Sequence, residues 1–580
     1  MQEDERDMAR DWLKYLSFVI LLLSLVFLSA GAEEKGTARR LTTEQLLNHV
    51  RAIKDASFQP GAADDSFQDV KCGFGIQAQV KTRWSEFTQV QQAELSILMK
   101  ADVMQCDTVA GHFHIFYDTT GINEPAILDN ALRRIPGTAK VYISYVAQIF
   151  NHVWDIEVEQ MGYSAPPLEN DQSYYNIYVK DMTDYGLTTF GGQINGTGVP
   201  PRYTSNITVD NDYQESQFHS HGINALKVTA AHEFHHAIQI GSYGYWENDV
   251  YAYELTSTWF EDVVYTDVND YYQYLRNYFE QFSDGRSFNS NPNVGGYERC
   301  IWAHFMAKQF GPTMMRKVWE GMRNTIPLQN EDVFLKNNAA VLADFGTTPQ
   351  TAFMEFTKWN YYTADRADTV KYYSEGKYYP RFLPLQKIDF YNTATTASGS
   401  VQALSSSMYD FDMQRDTITA VIANVDFSSA IMRNTTQKKI DVILSSQSLS
   451  PPYKDLVNGL KAKIVVDTLA LWRSILMQDS TQIRSVQLNA APNPFRLTEA
   501  QKLILPLHED NAPWADVYIY SSAFDLAFSG QLRTSYDENG GTRVIEVPAS
   551  AIQSKLSSGV YFIIAKTMNG DYKWKVAVIR

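Results

Sequence analysis

Cysteine is scarce in this chain, with three in 580 residues. That number is too small for a disulfide-stapled miniature scaffold. Long apolar runs are lacking too. Leu16 to Leu28 holds 13 residues, short of the roughly 20 a membrane-spanning helix needs. No block of Lys and Arg is long enough for a phosphate-binding patch, and the formal net charge is −16. Nucleic acid is therefore not an expected partner. No 20–50-residue repeat is visible, which argues against solenoids and propellers. Hydrophobic residues at 44% and charged residues at 20% match ordinary globular protein and exclude disorder, collagen and coiled coil as the main architecture. At about 100–200 residues per domain, the length allows about three to five domains. What is abundant is tyrosine: 35 of them, within an aromatic share of 13%. This suits extracellular β-structure and open polar clefts without naming a function.

The run Leu16–Leu28 reads as the core of an export signal, with Ala30-Gly31-Ala32 as the small-residue cleavage site. Residues 1–32 are expected to be removed; an uncleaved anchor is the alternative. The stretch before the core carries five acids (Glu3, Asp4, Glu5, Asp7, Asp11) against Arg6, Arg10 and Lys14. A start at Met8 rather than Met1 gives a more ordinary signal. After cleavage no stable transmembrane span is expected. Export permits disulfides, and Cys72 and Cys106 are the candidate pair. Cys300, in an apolar helical pattern, then reads as a buried free thiol.

Residues 33–109 read as a polar, helical N-terminal segment or propeptide. Thr42-Thr43-Glu44-Gln45 offers a capping box. His112–Tyr117 alternates like a strand, residues 138–161 read as an amphipathic helix (Val141, Tyr145, Val146, Phe150, Val153, Trp154), and 174–179 and 206–209 as further strands. A helix-rich stretch runs from about 223 to 365. Beyond about 385, short alternating segments signal β-sandwich structure, and Pro492-Asn493-Pro494 marks the start of a last all-β module. The expected fold is multidomain: a signal peptide (1–32), the N-terminal segment (33–109), an α+β zincin-like domain (110–380), a β-sandwich (381–485) and an immunoglobulin-like C-terminal domain (486–580).

The chemistry is concentrated in His232-Glu233-Phe234-His235-His236, an HExxH on a stretch of helical composition. Positions i and i+4 share one helix face, so His232 and His236 can offer two imidazoles to one Zn²⁺. Glu233, about 100° around, lies beside the metal and suits a general base. His235 reads as second-layer or surface. Catalytic zinc takes a third protein ligand and keeps one position open. Residues 251–262 read as the next helix. Either Glu254 or Glu261, two turns further on the same face, could ligate. Glu254 lies 18 positions after His236, a spacing that favours it. Glu261 or Asp262 would then hold a ligating His in its tautomer. Tyr297 and His304 are candidate donors to the oxyanion. His219-Ser220-His221 reads as an exposed loop or a second metal site. Asp210-Asn211-Asp212 reads as a loop cap or a Ca²⁺ site.

These motifs resemble those of the gluzincin metallopeptidases. More closely, VTAAHEFHHAIQ (228–239) and ELTSTWFED (254–262) resemble a group of secreted bacterial metalloproteases, with further likeness at 114–117, 208–212, 297–299 and 318–320. The resemblance implies zinc peptidase chemistry on a protein or peptide substrate, with His232, His236 and Glu254 as ligands and Glu233 as base. Thr258 departs from it, standing where some gluzincins carry an acid that orients a ligating His. Residues 486–580, from Ala491-Pro492-Asn493-Pro494-Phe495 to Lys575–Arg580, resemble the C-terminal sorting domains of type IX secretion. That implies a secreted or surface protein of a bacterium with an outer membrane, and the secretion machinery as a partner. Two other readings stand beside this one: a non-catalytic adhesion protein on a zincin fold, and a zinc hydrolase acting on another amide.

Overall fold

The computed structural model describes residues 41–54, 71–100, 102–169, 172–281, 285–290, 295–389, 394–412, 417–434, 438–445, 454–457, 460–466, 472–478, 492–498, 500–507, 512–522, 525–537, 542–567 and 570–580. The export signal expected over 1–32 lies outside them. Helices and strands coexist in the first 380 residues, and strands dominate thereafter. The chain is multidomain with α+β and all-β parts. Among the described residues no helix is long and apolar enough to cross a membrane.

Three short helices come first: α1 (Thr43–Lys54), α2 (Phe74–Thr82) and α3 (Gln89–Leu98). The capping box is present at α1, where the Gln45 N–H donates to Thr42 Oγ1 at 3.1 Å and the Thr42 N–H to Gln45 Oε1 at 3.0 Å. A five-stranded sheet follows, ordered β1 (Cys106–Ala110), β2 (Phe113–Tyr117), β5 (Tyr175–Lys180), β7 (Tyr203–Asp210), β6 (Gly186–Gln193); β3 (Ile127–Leu128) and β4 (Arg134–Ile135) form a separate hairpin. β2, β5 and β7 run parallel, and the two edge strands β1 and β6 are antiparallel to their neighbours. β2 buries Phe113, Ile115 and Tyr117 and turns His114 and Phe116 outward, as its alternation predicts. β5 is buried at every position, as a central parallel strand must be. The sheet begins at Cys106, inside the segment expected to precede the domain. β6 was not legible in the sequence.

Helix α4 (Ala139–Trp154) buries Tyr142, Ile143, Val146, Ile149, Phe150 and Val153, the i, i+3, i+4 stripe of a helix packed on one side. Val141 and Tyr145, expected on that stripe, are exposed instead. They sit about 100° from their buried neighbours. Helix α5 (Gly222–Ile238) is buried on every side from Val228 to Ile238, which only a helix inside a domain tolerates. It packs against α4, β6, β7 and α6 (Val250–Val264). Between α5 and α6 the chain reverses at Gly244, whose φ of +104° is open to glycine and where a Cβ would stand 2.3 Å from Pro200 Cγ.

Residues 386–478 supply two four-stranded sheets. Leu404, Met408, Val421 and Phe427 join the same apolar cluster as the helical domain. The C-terminal part is a seven-stranded sheet with its own core of Phe495, Leu505, Val517, Ile519, Ile563 and Val576. Its first described strand, Phe495–Arg496, directly follows Pro492-Asn493-Pro494. Asn493 bonds across to the last strand, accepting from the Ala577 N–H at 3.0 Å.

β6 crosses α5 at Gly186, where an added Cβ would stand 2.6 Å from Thr229 Cγ2 and 2.8 Å from Glu233 Cγ. Both atoms belong to a fully packed helix, so the contact cannot relax cheaply. Gly186→Ala is expected to cost about 1–3 kcal/mol, read as a lowered thermal midpoint. An unchanged midpoint would mean that strand and helix are less closely packed than described.

Candidate metal centre

Four side chains from three separate segments meet at one buried point: Cys72, His232, His236 and Glu254 each place a donor atom within 4.8 Å of the others. His232 and His236 come from successive turns of α5, and Glu254 from the first turn and a half of α6. Nε2 of His236 lies 3.1 Å from Nε2 of His232. Glu254 Oε2 lies 3.2 Å from His232 Nε2 and 3.4 Å from His236 Nε2. Cys72 Sγ lies 3.6 Å from His236 Nε2 and 3.6 Å from both Glu254 oxygens.

These separations test the fit of a zinc ion. Bonds of about 2.0–2.1 Å to N or O, set at tetrahedral angles, place donor atoms about 3.3–3.4 Å apart, and a sulfur bond of about 2.3 Å widens its edges to about 3.6 Å. The observed edges, 3.1, 3.2 and 3.4 Å between nitrogen and oxygen donors and 3.6 Å to sulfur, lie within about 0.3 Å of these values, so the residues fit such an ion. The tautomers point the same way. His232 Nδ1 lies 2.8 Å from Glu261 Oε1, and His236 Nδ1 lies 2.8 Å from Gln239 Oε1. The Gln239 amide N–H groups donate to Tyr253 O at 3.1 Å and Thr256 Oγ1 at 2.8 Å, which fixes its oxygen towards the ring. Each imidazole thus carries its proton on Nδ1 and turns a lone pair on Nε2 inward. Two lone pairs 3.1 Å apart require a cation or a proton between them.

The surrounding charge makes the same demand. Glu233, Glu254, Glu261 and Asp270 are all buried, and the buried ammonium of Lys71 pairs with two of them. Lys71 Nζ pairs with Glu261 at 2.6 Å and Asp270 at 2.7 Å. A net negative charge away from water is costly unless a cation balances it. Burial works against the charged form of Glu254, yet the two imidazoles hold its carboxyl down to about 2. Burial likewise opposes the charged form of His232, but Glu254 and Glu261 raise it to about 9. Burial beside Glu254 and Glu233 pushes the Cys72 thiol up; a dication at the same point reverses that preference.

Glu233 sits beside the donors. Oε2 accepts from Thr188 Oγ1 of β6 at 2.6 Å, and Oε1 is buried without a partner. Burial raises its pKa, opposed by His236 and His232. Tyr297 is also at the site, 6.0 Å ring to ring from His232, and its hydroxyl accepts the Cys72 N–H at 3.4 Å.

Several expectations need correction. Cys72 and Cys106 do not pair: all three cysteines are free, Cys72 facing the imidazoles and Cys106 starting an edge strand. Of the two acids left open, Glu254 is the one in the donor cluster, and Glu261 is, as expected, the partner of His232. Asp262 does not hold a ligating His. At one residue past Glu261 it is about 100° around the helix, 3.8 Å from His304 Nδ1 instead. His304 stacks on Tyr271 at 4.9 Å and is not brought into the donor cluster. His235 is neither at the surface nor behind a ligand. It is buried, 2.8 Å from Glu157 through Nδ1. His219 is exposed and His221 Nδ1 lies 3.0 Å from Tyr213 O, so this pair stays a loop. Asp210, Asp212 and Glu215 cluster. Asp210 is occupied by backbone N–H groups of Met182, Asp212 and Tyr213, and Asp212 pairs with Arg134. This is the loop cap. Lys71, Gln239 and Thr188 were missed. Only Gln239, one helical turn past His236, carried a local signal.

One tightly bound zinc per chain is expected, read by metal content after dialysis. Replacing His232, His236 or Glu254 by Ala should abolish it, and Glu261→Gln should weaken it about 10–100-fold. Retention of zinc by the His232→Ala variant would place the metal elsewhere. No family model, no curated protein and no solved structure matches this chain, so the functional reading rests on the residues and geometry above.

Proposed function

We propose that the chain is a secreted zinc-dependent endopeptidase with a zincin-like catalytic domain. The observation that carries this reading is the meeting of two imidazoles and one carboxylate at tetrahedral separations, with a partnerless carboxylate oxygen of Glu233 beside them. A site that only bound metal would have no use for that oxygen.

His232, His236 and Glu254 would hold Zn²⁺. When bound, the ion supplies Lewis acidity, polarising a carbonyl and lowering the pKa of water. Glu233 then takes the proton of the attacking water and returns it to the leaving amine. Thr188 fixes Oε2 at 2.6 Å and leaves Oε1 for that exchange. Burial raises the Glu233 pKa above the usual carboxylate value, the direction that suits a group that must both accept and release a proton. Glu261 and Gln239 keep the imidazoles in register through their Nδ1 atoms. The Tyr297 hydroxyl would stabilise the oxyanion.

For the C-terminal part, we propose an immunoglobulin-like sorting domain that engages the secretion machinery and delivers the chain to the outside or the cell surface. Its support is the alternation of strand 559–567, with Tyr561, Ile563 and Ala565 inward.

Glu233→Gln is expected to keep zinc and lose peptide cleavage by about 10²–10⁴-fold. Metal content and turnover of a quenched peptide measure the two separately. Turnover equal to the parent would remove Glu233 as the base. Deleting 486–580 is expected to stop export while leaving catalysis intact. Unchanged export of the truncated chain would contradict the sorting role.

A further inference from the structure

The peptidase reading needs a free coordination position, and in this fold that position is filled. We propose that the Cys72 thiolate is the fourth protein ligand of the metal, and that residues 71–74 hold the chain as a latent peptidase. This inference rests on the metallopeptidase reading above.

Four observations carry it. Cys72 Sγ stands in one group with the other three donors, 3.6 Å from His236 Nε2 and from both Glu254 oxygens. The same short segment grips the site at three further points. Lys71 Nζ binds Glu261, the carboxylate that orients His232, at 2.6 Å. The Cys72 N–H takes the Tyr297 hydroxyl. The Phe74 ring stacks on the His236 imidazole at 4.0 Å and 8°. Next, the segment occupies an edge. Cys72 bridges to Gly186 of the edge strand β6, the Tyr185 N–H donates to Lys71 O at 3.1 Å, and the Gly73 N–H to Gly186 O at 3.3 Å. An extended peptide would add to a free strand edge in the same way. Finally, His232, Glu233, His236 and Glu254 are at most 1% exposed. No substrate reaches them while residues 71–74 stay in place.

The chemistry balances without an oxidant. The thiol S–H bond breaks, its proton leaves to solvent, and the sulfur lone pair binds the cation. Turnover requires the reverse: the sulfur must leave before water and a carbonyl can enter. Glu233 separates this arrangement from a purely structural zinc site. A closed four-ligand site with a structural role would not place a partnerless carboxylate beside the metal.

The test uses the full chain, with Cys72→Ser and Cys72→Ala. Loaded with Co²⁺, the parent should show a near-ultraviolet thiolate-to-cobalt charge-transfer band that both variants lack, while the visible ligand-field bands persist in all three. Loaded with Zn²⁺, the variants should cleave a quenched peptide about tenfold or more faster than the parent, because rate follows the fraction of molecules with an open position. A parent without the charge-transfer band overturns the proposal; if that parent is active, the peptidase reading survives it. A parent with the band and metal-loaded variants that remain inert overturns the peptidase reading instead, leaving a closed structural zinc site. Variants no faster than an active parent overturn the latency.

Discussion

Two imidazole nitrogens facing each other at 3.1 Å, shut away from water with a carboxylate beside them, form an arrangement that needs positive charge at its centre. Much of the fold serves to hold it. The helix bearing both rings is packed on all sides from Val228 to Ile238, so its faces cannot rotate. The π-helical turn Gln239–Tyr243 and the reversal at Gly244 return the chain so that Glu254 meets the rings from the next helix. The rings are aimed by their outer nitrogens, one on Glu261 and one on Gln239. The position of each lone pair is therefore set by residues that do not touch the cation.

That outer layer joins the N-terminal segment to the site. Lys71 lies between Glu261 and Asp270, and Asp270 Oδ1 also accepts from the Tyr185 hydroxyl at 3.1 Å. Burial works against the Lys71 charge, but Asp270 and Glu261 hold its pKa well above the usual value. Breaking such a buried pair by removing one partner is costly. Residues 71–74 are thus tied into the domain through charge, sulfur and ring stacking together. They do not lie on it as a loose arm. The stretch expected to precede the α+β domain is, around Cys72, part of its centre, and Cys72, Phe74 and Ala78 belong to the domain's own apolar cluster.

Legibility in the sequence followed the range of the interaction. The i, i+4 pairing of His232 and His236 is local, and so is the two-turn relation of Glu254 and Glu261; both could be read from spacing. Strands β2, β5 and β7 declared themselves by alternation or by apolar runs. β6 did not: Gly186-Leu187-Thr188-Thr189-Phe190 is buried throughout and mixes glycine with threonine, so neither period nor hydrophobicity marks it. With β6 hidden, Thr188 could not be assigned to Glu233. Cys72 stands 164 positions from His236, a separation no local pattern bridges. Export made a disulfide the natural expectation for it. Asp262 and His304 were misplaced because one residue around a helix, or one helix further along, decides whether a side chain meets the donors, and composition does not report that.

The central claim is the identity and geometry of the metal's neighbours. X-ray absorption at the zinc edge of the full chain measures both. The account calls for two imidazole nitrogens and one carboxylate oxygen at about 2.0–2.2 Å with one sulfur at about 2.3 Å. A zinc shell without imidazole scattering, or a chain that binds no zinc at all, would contradict it.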